Sequence, residues 1–432
     1  MNESFLHFVW QFQYFDKDDL RCTLGDAISI FDPGYKNTHS GPDFYNAKLK
    51  LGSISWAGSV EIHIQSSGWR EHRHHEDPAY ENVVLHVVWN EDEIILRSDG
   101  TPLPTLVLQS RVSKDLLLRY KRIVHSRHKI PCAGRLEEVS SLVRLSMLDK
   151  AVVARLEKKA GIVLECLLRN NGDWEETTYQ ILCRTFGFNV NADPFLQLAQ
   201  ALPYKVVRKH GDRLDQIEAL IFGQAGFLEE PVSDEYYTHL RREYRLLQKK
   251  YGLARSQMRR VQWRFLRMRP ANFPTVRMAQ LASLLFRQKN LFASAFGVRS
   301  LRDLQLVFAV RPSEYWLHHY RFFREQAKAA GSLGRSSIEN ILINTLAPLL
   351  AAYGKAHGDD SFTRQAVQLL QDTPAEDNNI IRSMKDIGWE CQSAFDSQGL
   401  IELHNTFCSR RRCLDCNIGF SLLRPGAASP RV

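Results

Sequence analysis

The spacing of hydrophobic residues changes near residue 113, and this change constrains the fold more than any other feature. Before it, apolar residues such as Ala47, Leu49 and Leu51 are separated by lysines, a period of two that is typical of β-strands. After it, apolar residues recur at helical spacing over residues 113–125, 139–169, 174–186 and 194–202. The sequence therefore predicts an α+β protein in which a strand-rich part precedes a large helical part.

The strand-rich part has a predicted order of elements. An apolar-rich helix at residues 2–15 opens the chain, a short strand covers 27–31, and a hairpin has its arms at 47–51 and 54–64. A continuous apolar strand follows at 82–89, and a second hairpin at 93–108 turns around Asp99 and Gly100. We divide the chain into an α/β domain (1–112), a helical, basic domain (113–385), a cysteine-bearing element (386–426) and a disordered tail (427–432).

Composition excludes several classes of protein. Hydrophobic residues make up 44% and charged residues 24% of the 432 residues, as in globular proteins. No apolar run reaches the roughly 18 residues of a transmembrane helix, and no cationic segment precedes an apolar core at the N-terminus, as a secretory signal requires. Eight cysteines are too few for a disulfide scaffold. We therefore expect a cytoplasmic protein without a membrane partner.

The positive charge is concentrated in one segment. Residues 236–290 contain 14 Lys or Arg and one acid, Glu243, whereas the whole chain has a net charge of +9. Because interleaved basic and aromatic residues suit a phosphate backbone and its bases, we expect a nucleic acid, DNA or RNA, as the partner. Treated as a helix, the segment places several arginines on shared faces. The candidate phosphate contacts are Arg259, Arg260, Arg264, Arg267, Arg269 and Arg277.

That segment also has other interpretations. A basic helix with Leu247, Leu253 and Trp263 packed inward needs no ligand at all. Its charged face also suits an acidic protein or an anionic membrane surface. No feature of the sequence identifies a protein partner.

A second pattern joins the two arms of the first hairpin. Asp43 follows Pro42 at the start of one arm, and Glu61 lies 18 residues later in the other, two positions before His63. Alternation puts Glu61 and His63 on the same face, and a paired register brings Asp43 beside Glu61. Two carboxylates at one point suit a divalent metal, and such a metal activates water for phosphodiester hydrolysis.

These residues resemble the motif of the PD-(D/E)XK nuclease superfamily, with His63 in place of its usual lysine. The resemblance covers roughly residues 1–100 and implies a restriction-endonuclease-like domain with a mixed sheet. It also implies that Asp43 and Glu61 bind Mg²⁺ or Mn²⁺, that His63 orients or deprotonates the attacking water, and that an acid of the first helix, here Glu3, completes the site.

Histidines suggest an alternative centre. Five of the 15 histidines lie between His63 and His86, which favours a softer metal such as Mn²⁺ or Zn²⁺. A metal-dependent hydrolase of another substrate would use His63, His72, His74 and Asp77. Joint ligation by His72 and His74 excludes a continuous helix there, because a spacing of two points them to different faces. A structural interpretation instead places Asp43 in a turn and the histidines in a solvated loop.

The C-terminal cysteines form a third pattern. Cys408, Cys413 and Cys416 lie within nine residues, a density that indicates metal ligands. Cys132, Cys391 and His404 are candidates for a fourth ligand, and Cys132 is our choice. Four thiolates hold either Zn²⁺ or an iron–sulfur cluster, whereas unliganded thiols on a loop are the alternative. Some nucleases of the superfamily named above similarly fasten their C-terminus with an iron–sulfur cluster.

Most of the chain also resembles a bacterial family of unknown function. The shared motifs are GPDF, VEIH, the SSxW segment and its histidines, RPxNFP and the cysteine cluster. Taken together, the residues predict a metal-dependent nuclease. A nucleic-acid-binding or scaffolding protein with a degenerate, non-catalytic nuclease fold is the first alternative.

Overall fold

The structure is a computed structural model that describes residues 1–230, 233–297, 301–325 and 332–424. The chain forms two compact units, one of residues 1–147 with 403–432 and one of residues 148–402. The predicted disordered tail at 427–432 lies outside the described residues. The predicted domain boundaries at residues 112, 385 and 426 stay predictions.

The first unit contains the larger sheet. Its strands are β1 (Ile28–Asp32), β2 (Tyr35–Lys36), β3 (Phe44–Leu51), β4 (Ile54–Gln65), β5 (Val83–Asn90) and β6 (Thr105–Val107). The order is β1-β3-β4-β5-β6, with β2 also paired to β3. Pairing is antiparallel from β1 to β4 and parallel from β4 to β6. This mixed sheet confirms the α+β class.

Helices of the first unit follow the sequence pattern closely. They are α1 (Glu3–Gln11), α2 (Gly68–Glu71), α3 (Lys114–Val124) and, near the C-terminus, α19 (Asn417–Leu423), and α4 (Ser141–Arg169) begins in this unit. The helix predicted at residues 2–15 is shorter than expected, and it is capped at its N-terminus by Asn2, whose side chain accepts a hydrogen bond from the Phe5 N–H. Its apolar face is buried, including Phe5, Leu6, Val9 and Trp10.

The second predicted hairpin forms only in part. Its turn is present, because the Arg97 N–H donates to the Thr101 carbonyl at 2.8 Å and Leu96 bridges Pro102. The second arm then leaves this pairing, and Thr105–Val107 runs parallel to β5. The turn residues Asp99 and Gly100 predicted the change of chain direction. The returning arm, however, pairs with the apolar strand β5 and so becomes part of the main sheet.

The second unit is mainly helical. Its helices are the rest of α4, α5 (Trp174–Phe186), α6 (Ala192–Ala201), α7 (Tyr204–Arg208), α8 (Leu214–Gln224), α9 (Glu235–Tyr251), α10 (Pro274–Arg287), α11 (Leu291–Gly297), α12 (Leu301–Phe308), α13 (Glu314–His318), α14 (Arg335–Ile341), α15 (Ala347–His357), α16 (Asp360–Asp372), α17 (Asn379–Asp386) and α18 (Ala394–Glu402). A two-stranded sheet joins β7 (His319–Arg321) to β8 (Arg324–Glu325). One large apolar core contains residues from most of these helices. None of the helices in the described part of the chain combines the length and apolar character needed to cross a membrane.

Candidate metal centre

Strand β4 places two polar side chains inside the first unit. Glu61 and His63 point to the same face, with Glu61 Oε1 3.7 Å from His63 Nε2. Both are buried, as are Val60 and Ile62 on the other face, because β4 is an inner strand covered on both sides. Burying a carboxylate beside an imidazole is unfavourable unless both groups have hydrogen-bond or charge partners. This face of β4 is therefore not an ordinary solvated strand face.

The register of β3 and β4 brings Asp43 beside Glu61. Phe44 pairs with Val60, so Asp43 is one residue beyond the paired position. Its N–H donates to Glu61 Oε2 at 3.0 Å, and the Ile62 N–H donates to Asp43 Oδ2 at 3.1 Å. The two carboxylates expected from the sequence therefore meet.

The helix residue that reaches these carboxylates is His7, which the sequence reasoning missed. His7 Nε2 lies 3.1 Å from Asp43 Oδ2. Glu3, the candidate helix acid, lies one turn earlier on α1 and is half-buried. Among the residues that the structure describes, α1 contacts Asp43 through His7 and not through Glu3. Residues four apart lie on the same face of a helix, so the position of Glu3 could have identified His7 as a second candidate on that face of α1.

Arg73, which has a left-handed backbone conformation, brings His72 and His74 close to His63. α2 ends at Glu71, Arg73 adopts a φ of 59°, and a short 3₁₀ turn starts at His74. This reversal lets His72 and His74 face one another across a spacing of two, which a continuous helix would forbid. His63 Nε2 lies 3.1 Å from His72 Nδ1.

The three imidazoles form a possible ligand set. Ligand nitrogens of His63, His72 and His74 all lie within 4.8 Å of one another. Tetrahedral zinc with bonds of about 2.0–2.1 Å places two nitrogens roughly 3.4 Å apart, so the spacing fits one ion. His74 Nε2 is buried without a hydrogen-bond partner, although Glu61 Oε1 lies 3.3 Å away. In the neutral tautomer with its proton on Nδ1, this buried nitrogen would be available to bind a metal ion.

Neighbouring rings hold this set in place. His63 Nδ1 lies 2.9 Å from His86 Nε2 on β5, a contact that orients the His63 ring as outer-shell partners of metal ligands do. Tyr80 stacks on His74 with ring centroids 3.8 Å apart. Gly68 permits the approach of α2, since a Cβ there would lie 2.8 Å from His63 Cδ2.

Burial controls the charge of these groups. It lowers the pKa of His63 to about 2, with the neighbouring imidazoles acting in the same direction, His86 most strongly. Burial likewise lowers the pKa of His86 to about 3. It raises the pKa of Glu61, an effect that His74 opposes and Asp43 reinforces. His63 and His86 are therefore neutral, which is the form of imidazole that binds metals.

Asp77, the fourth candidate of the histidine-based alternative, has a local role. It is exposed, and its side chain caps the turn Pro78–Tyr80 by accepting from the Ala79 N–H at 2.9 Å. The structure groups the three histidines with Glu61 and does not place Asp77 in that set.

The cysteines predicted as metal ligands are neighbours in the first unit. Burial raises the pKa of Cys408, and the other three thiols, Cys132, Cys413 and Cys416, raise it further. None of these four described cysteines forms a disulfide. Burial and the nearby thiols also raise the pKa of Cys132 and of Cys413 to about 12. Cys132 is the remote residue that acts on Cys408, whereas Cys391 belongs to the second unit and His404 Nδ1 lies 2.9 Å from Asn405 Oδ1.

The basic segment, residues 236–290, is not one continuous helix as the sequence analysis assumed. α9 ends at Tyr251, Gly252 adopts a φ of 67°, and only short 3₁₀ turns follow before α10. The prediction that arginines 255–267 share helical faces is therefore wrong, because glycine in the left-handed region ends the helix. The arginines at 259, 260, 264, 267 and 269 are exposed, and Arg260 pairs with Glu230 at 3.3 Å.

The aromatic residues of this segment are mostly packed inward. Tyr244 and Trp263 are buried, and Trp263 Nε1 donates to the Ala225 carbonyl at 2.9 Å. They are therefore core residues, and the expectation that they stack on bases is wrong for these two. Arg277 is also buried, so it is no surface contact for a phosphate backbone.

A protein-family model described as "Protein of unknown function (DUF2851)" matches residues 3–379. The chain belongs to this family. The DUF2851 match contains the carboxylates and histidines of the candidate metal centre and Cys132, and it ends before the three C-terminal cysteines. Neither a curated protein nor a solved structure matches the chain. The resemblance to PD-(D/E)XK nucleases stays a prediction.

Proposed function

We propose that this DUF2851 protein is a metal-dependent hydrolase of nucleic-acid phosphodiester bonds, with its metal held by His63, His72 and His74. The observation that carries the proposal is the convergence of three imidazoles beside Glu61, a buried carboxylate. Imidazoles suit Zn²⁺ better than Mg²⁺, so we propose Zn²⁺, or Mn²⁺ with help from the carboxylates, in place of the Mg²⁺ that the nuclease resemblance implies.

The residues around the ligand set have complementary roles. His63, His72 and His74 would hold the ion, and the chemistry that such an ion would supply is polarisation of a phosphoryl oxygen and activation of water. Glu61, whose Oε1 lies 3.3 Å from His74 Nε2, would accept a proton from the attacking water. Asp43 is held by the Ile62 N–H and by His7, and it supplies a second carboxylate for the ion.

Two further observations support the substrate class. An α-helix, an antiparallel hairpin that carries Asp43 and Glu61, and a parallel strand β5 follow one another, which is the order that the nuclease resemblance implies. The exposed arginines between 259 and 269 suit a polyanion, since phosphate neutralisation drives nucleic-acid binding.

Two exposed histidines three residues apart provide a matched test. His72 belongs to the ligand set, whereas His75 pairs with Glu76. We expect wild type and His75→Ala to cleave labelled single- or double-stranded DNA or RNA with Zn²⁺ or Mn²⁺. His72→Ala should cleave at least about 10-fold more slowly. Equal cleavage by His72→Ala and His75→Ala would contradict this centre. Salt-sensitive binding without cleavage under any metal would favour the non-catalytic alternative.

We also propose that Cys132, Cys408, Cys413 and Cys416 hold a structural metal, either Zn²⁺ or an iron–sulfur cluster. Four buried or half-buried cysteines that are outside any disulfide and lie near one another support this. Metal analysis of the purified protein, kept free of oxygen, should find about one zinc or several irons with visible absorbance. Cys408→Ser should lose that metal, and Cys166→Ser, a buried cysteine of the second unit, should retain it. Wild type without either metal would overturn the proposal.

A further inference from the structure

A cavity of the second unit contains a buried arginine. The cavity has a volume of about 690 Å³ and is lined by parts of α10 and α14 and by the segment before α17. Arg277 of α10 lines it with 6% of its surface exposed. Arg267 and Arg269 line the same cavity and are exposed. Three guanidinium groups thus share one cavity of the size of a small-ligand site.

The partners of Arg277 are all neutral. Its Nη1 donates to Gln280 Oε1 at 3.0 Å, and its Nη2 donates to Asn272 Oδ1 at 2.6 Å and to Ser337 Oγ at 3.1 Å. The guanidinium carbon lies 4.4 Å from the centroid of the Phe188 ring. These contacts fix the orientation of the side chain, but none of them supplies a negative charge.

The charge of Arg277 is therefore uncompensated. None of the ion pairs found among the described residues includes Arg277, and its buried Nε has no hydrogen-bond partner. Burial lowers the pKa of Arg277 to about 10, which leaves the group charged near neutral pH. A buried, unpaired charge is strongly unfavourable, so the fold keeps this arginine at a cost that an anionic ligand would offset.

Two of the carboxylates that line the cavity are already paired with other cations. Glu339 lies 2.9 Å from Arg335, and Asp377 lies 2.8 Å from Arg382. These ion pairs neutralise acids that would otherwise oppose an anion.

The third carboxylate of the lining, Glu376, is engaged as well. It accepts a hydrogen bond from the Gln398 amide. The same glutamine accepts from Lys159 Nζ at 2.6 Å, and the charges of Glu376 and Lys159 interact. All three acids of the cavity thus have partners, whereas the buried guanidinium lacks an anion.

We propose that this cavity binds a phosphomonoester, with Arg277 as its buried anchor and Arg267 and Arg269 at its rim. Guanidinium groups bind phosphate oxygens through paired hydrogen bonds. Because Arg277 is almost fully enclosed, the end of a strand or a free nucleotide reaches it, whereas the backbone inside a duplex does not. The identity of the ligand as a nucleic-acid end rests on the proposed function, but the phosphate site does not.

Binding assays without added metal separate the phosphate site from hydrolysis. The probes are single-stranded oligonucleotides of one sequence with a 5′-phosphate, a 3′-phosphate or no terminal phosphate. We expect one phosphorylated form to bind wild type at least about 10-fold more tightly than the unphosphorylated form. Arg277→Gln should lose this preference, and Arg364→Gln, an exposed arginine of α16, should keep it. Equal binding of all three probes by wild type would overturn the proposal.

Two more variants keep the test decisive. Arg269→Gln, at the exposed rim, should weaken the preference without affecting the core, so it reports on the site even where Arg277→Gln folds poorly. Unchanged preference in both Arg277→Gln and Arg269→Gln would contradict the assignment. Competition by a nucleoside monophosphate as strong as by the phosphorylated strand would identify a free nucleotide as the source of the phosphate. If His72→Ala and wild type show the same preference but neither cleaves, the proposed hydrolase fails while the phosphate site stands.

Discussion

Glu61 in the first unit and Glu218 in the second are buried to nearly the same degree, with 5% and 2% of their surface exposed. Their partners differ. Glu218 accepts hydrogen bonds from the Ser313 hydroxyl at 2.6 Å and the Tyr236 hydroxyl at 2.8 Å, one on each oxygen. Glu61 accepts from one backbone N–H, and its other oxygen faces His74 and His63.

The comparison shows that burial alone does not identify a functional carboxylate. Burial raises the pKa of both glutamates. The two hydroxyl groups donate a hydrogen bond to each carboxylate oxygen of Glu218. Glu218 is therefore a satisfied core residue, because a buried polar group with its hydrogen bonds made needs no further partner. Around Glu61, the ring nitrogens of His63, His72 and His74 form a possible ligand set for a cation.

The largest expected difference between the two glutamates is in hydrolysis. Glu61→Gln removes the charge and the proton acceptor while keeping the size of the side chain. We expect it to slow cleavage of labelled nucleic acid by roughly 10²–10⁴-fold. Glu218→Gln, the matched control, should cleave at the wild-type rate. Equal rates for wild type and Glu61→Gln, in the presence of saturating metal, would show that Glu61 has a structural role and does not act in hydrolysis.

The second difference is in the pH dependence of stability. Burial raises the pKa of Glu218 from its ordinary value of 4.5 to about 7. The folded state therefore retains a proton that the unfolded state loses. The stabilising contribution is present below pH 4.5 and is lost as the pH rises to about 7. Between pH 4.5 and about 7, the contribution of Glu218 to the free energy of unfolding should fall by about 3 kcal/mol.

Urea unfolding of wild type and Glu218→Gln at several pH values measures this contribution. The difference between the two proteins should change across pH 4.5–7 and be constant above it, because glutamine does not titrate. A difference that does not vary with pH would mean that Glu218 stays ionised in the fold.

The smallest expected effect comes from the glycine that lets α2 approach the histidines. In Gly68→Ala, the new Cβ would lie 2.8 Å from His63 Cδ2, so the ring must shift. We expect about 10-fold weaker metal binding in a titration with Zn²⁺, as for other changes next to metal ligands. Gly161→Ala, where a Cβ meets open space, should bind as wild type does. Unchanged affinity in Gly68→Ala would place the metal away from His63.

Local features of the site and fold could be predicted from the sequence. Alternation in β4 put Glu61 and His63 on one face, because successive side chains of a strand point to opposite sides. The helix predicted at 174–186 has the observed bounds. Its start is fixed locally, since the Asp173 side chain accepts from the Glu176 N–H.

Only the tertiary structure determined which distant groups meet and which are buried. His7 reaches Asp43 from another element, and the left-handed Arg73 turns His72 and His74 toward His63. Arg277 looked like one of a row of surface arginines, but the packing of α10 buries it. The physical reason is that periodicity and capping depend on neighbours along the backbone. Convergence and desolvation depend on contacts between residues far apart in the chain, and the sequence pattern does not encode these contacts locally.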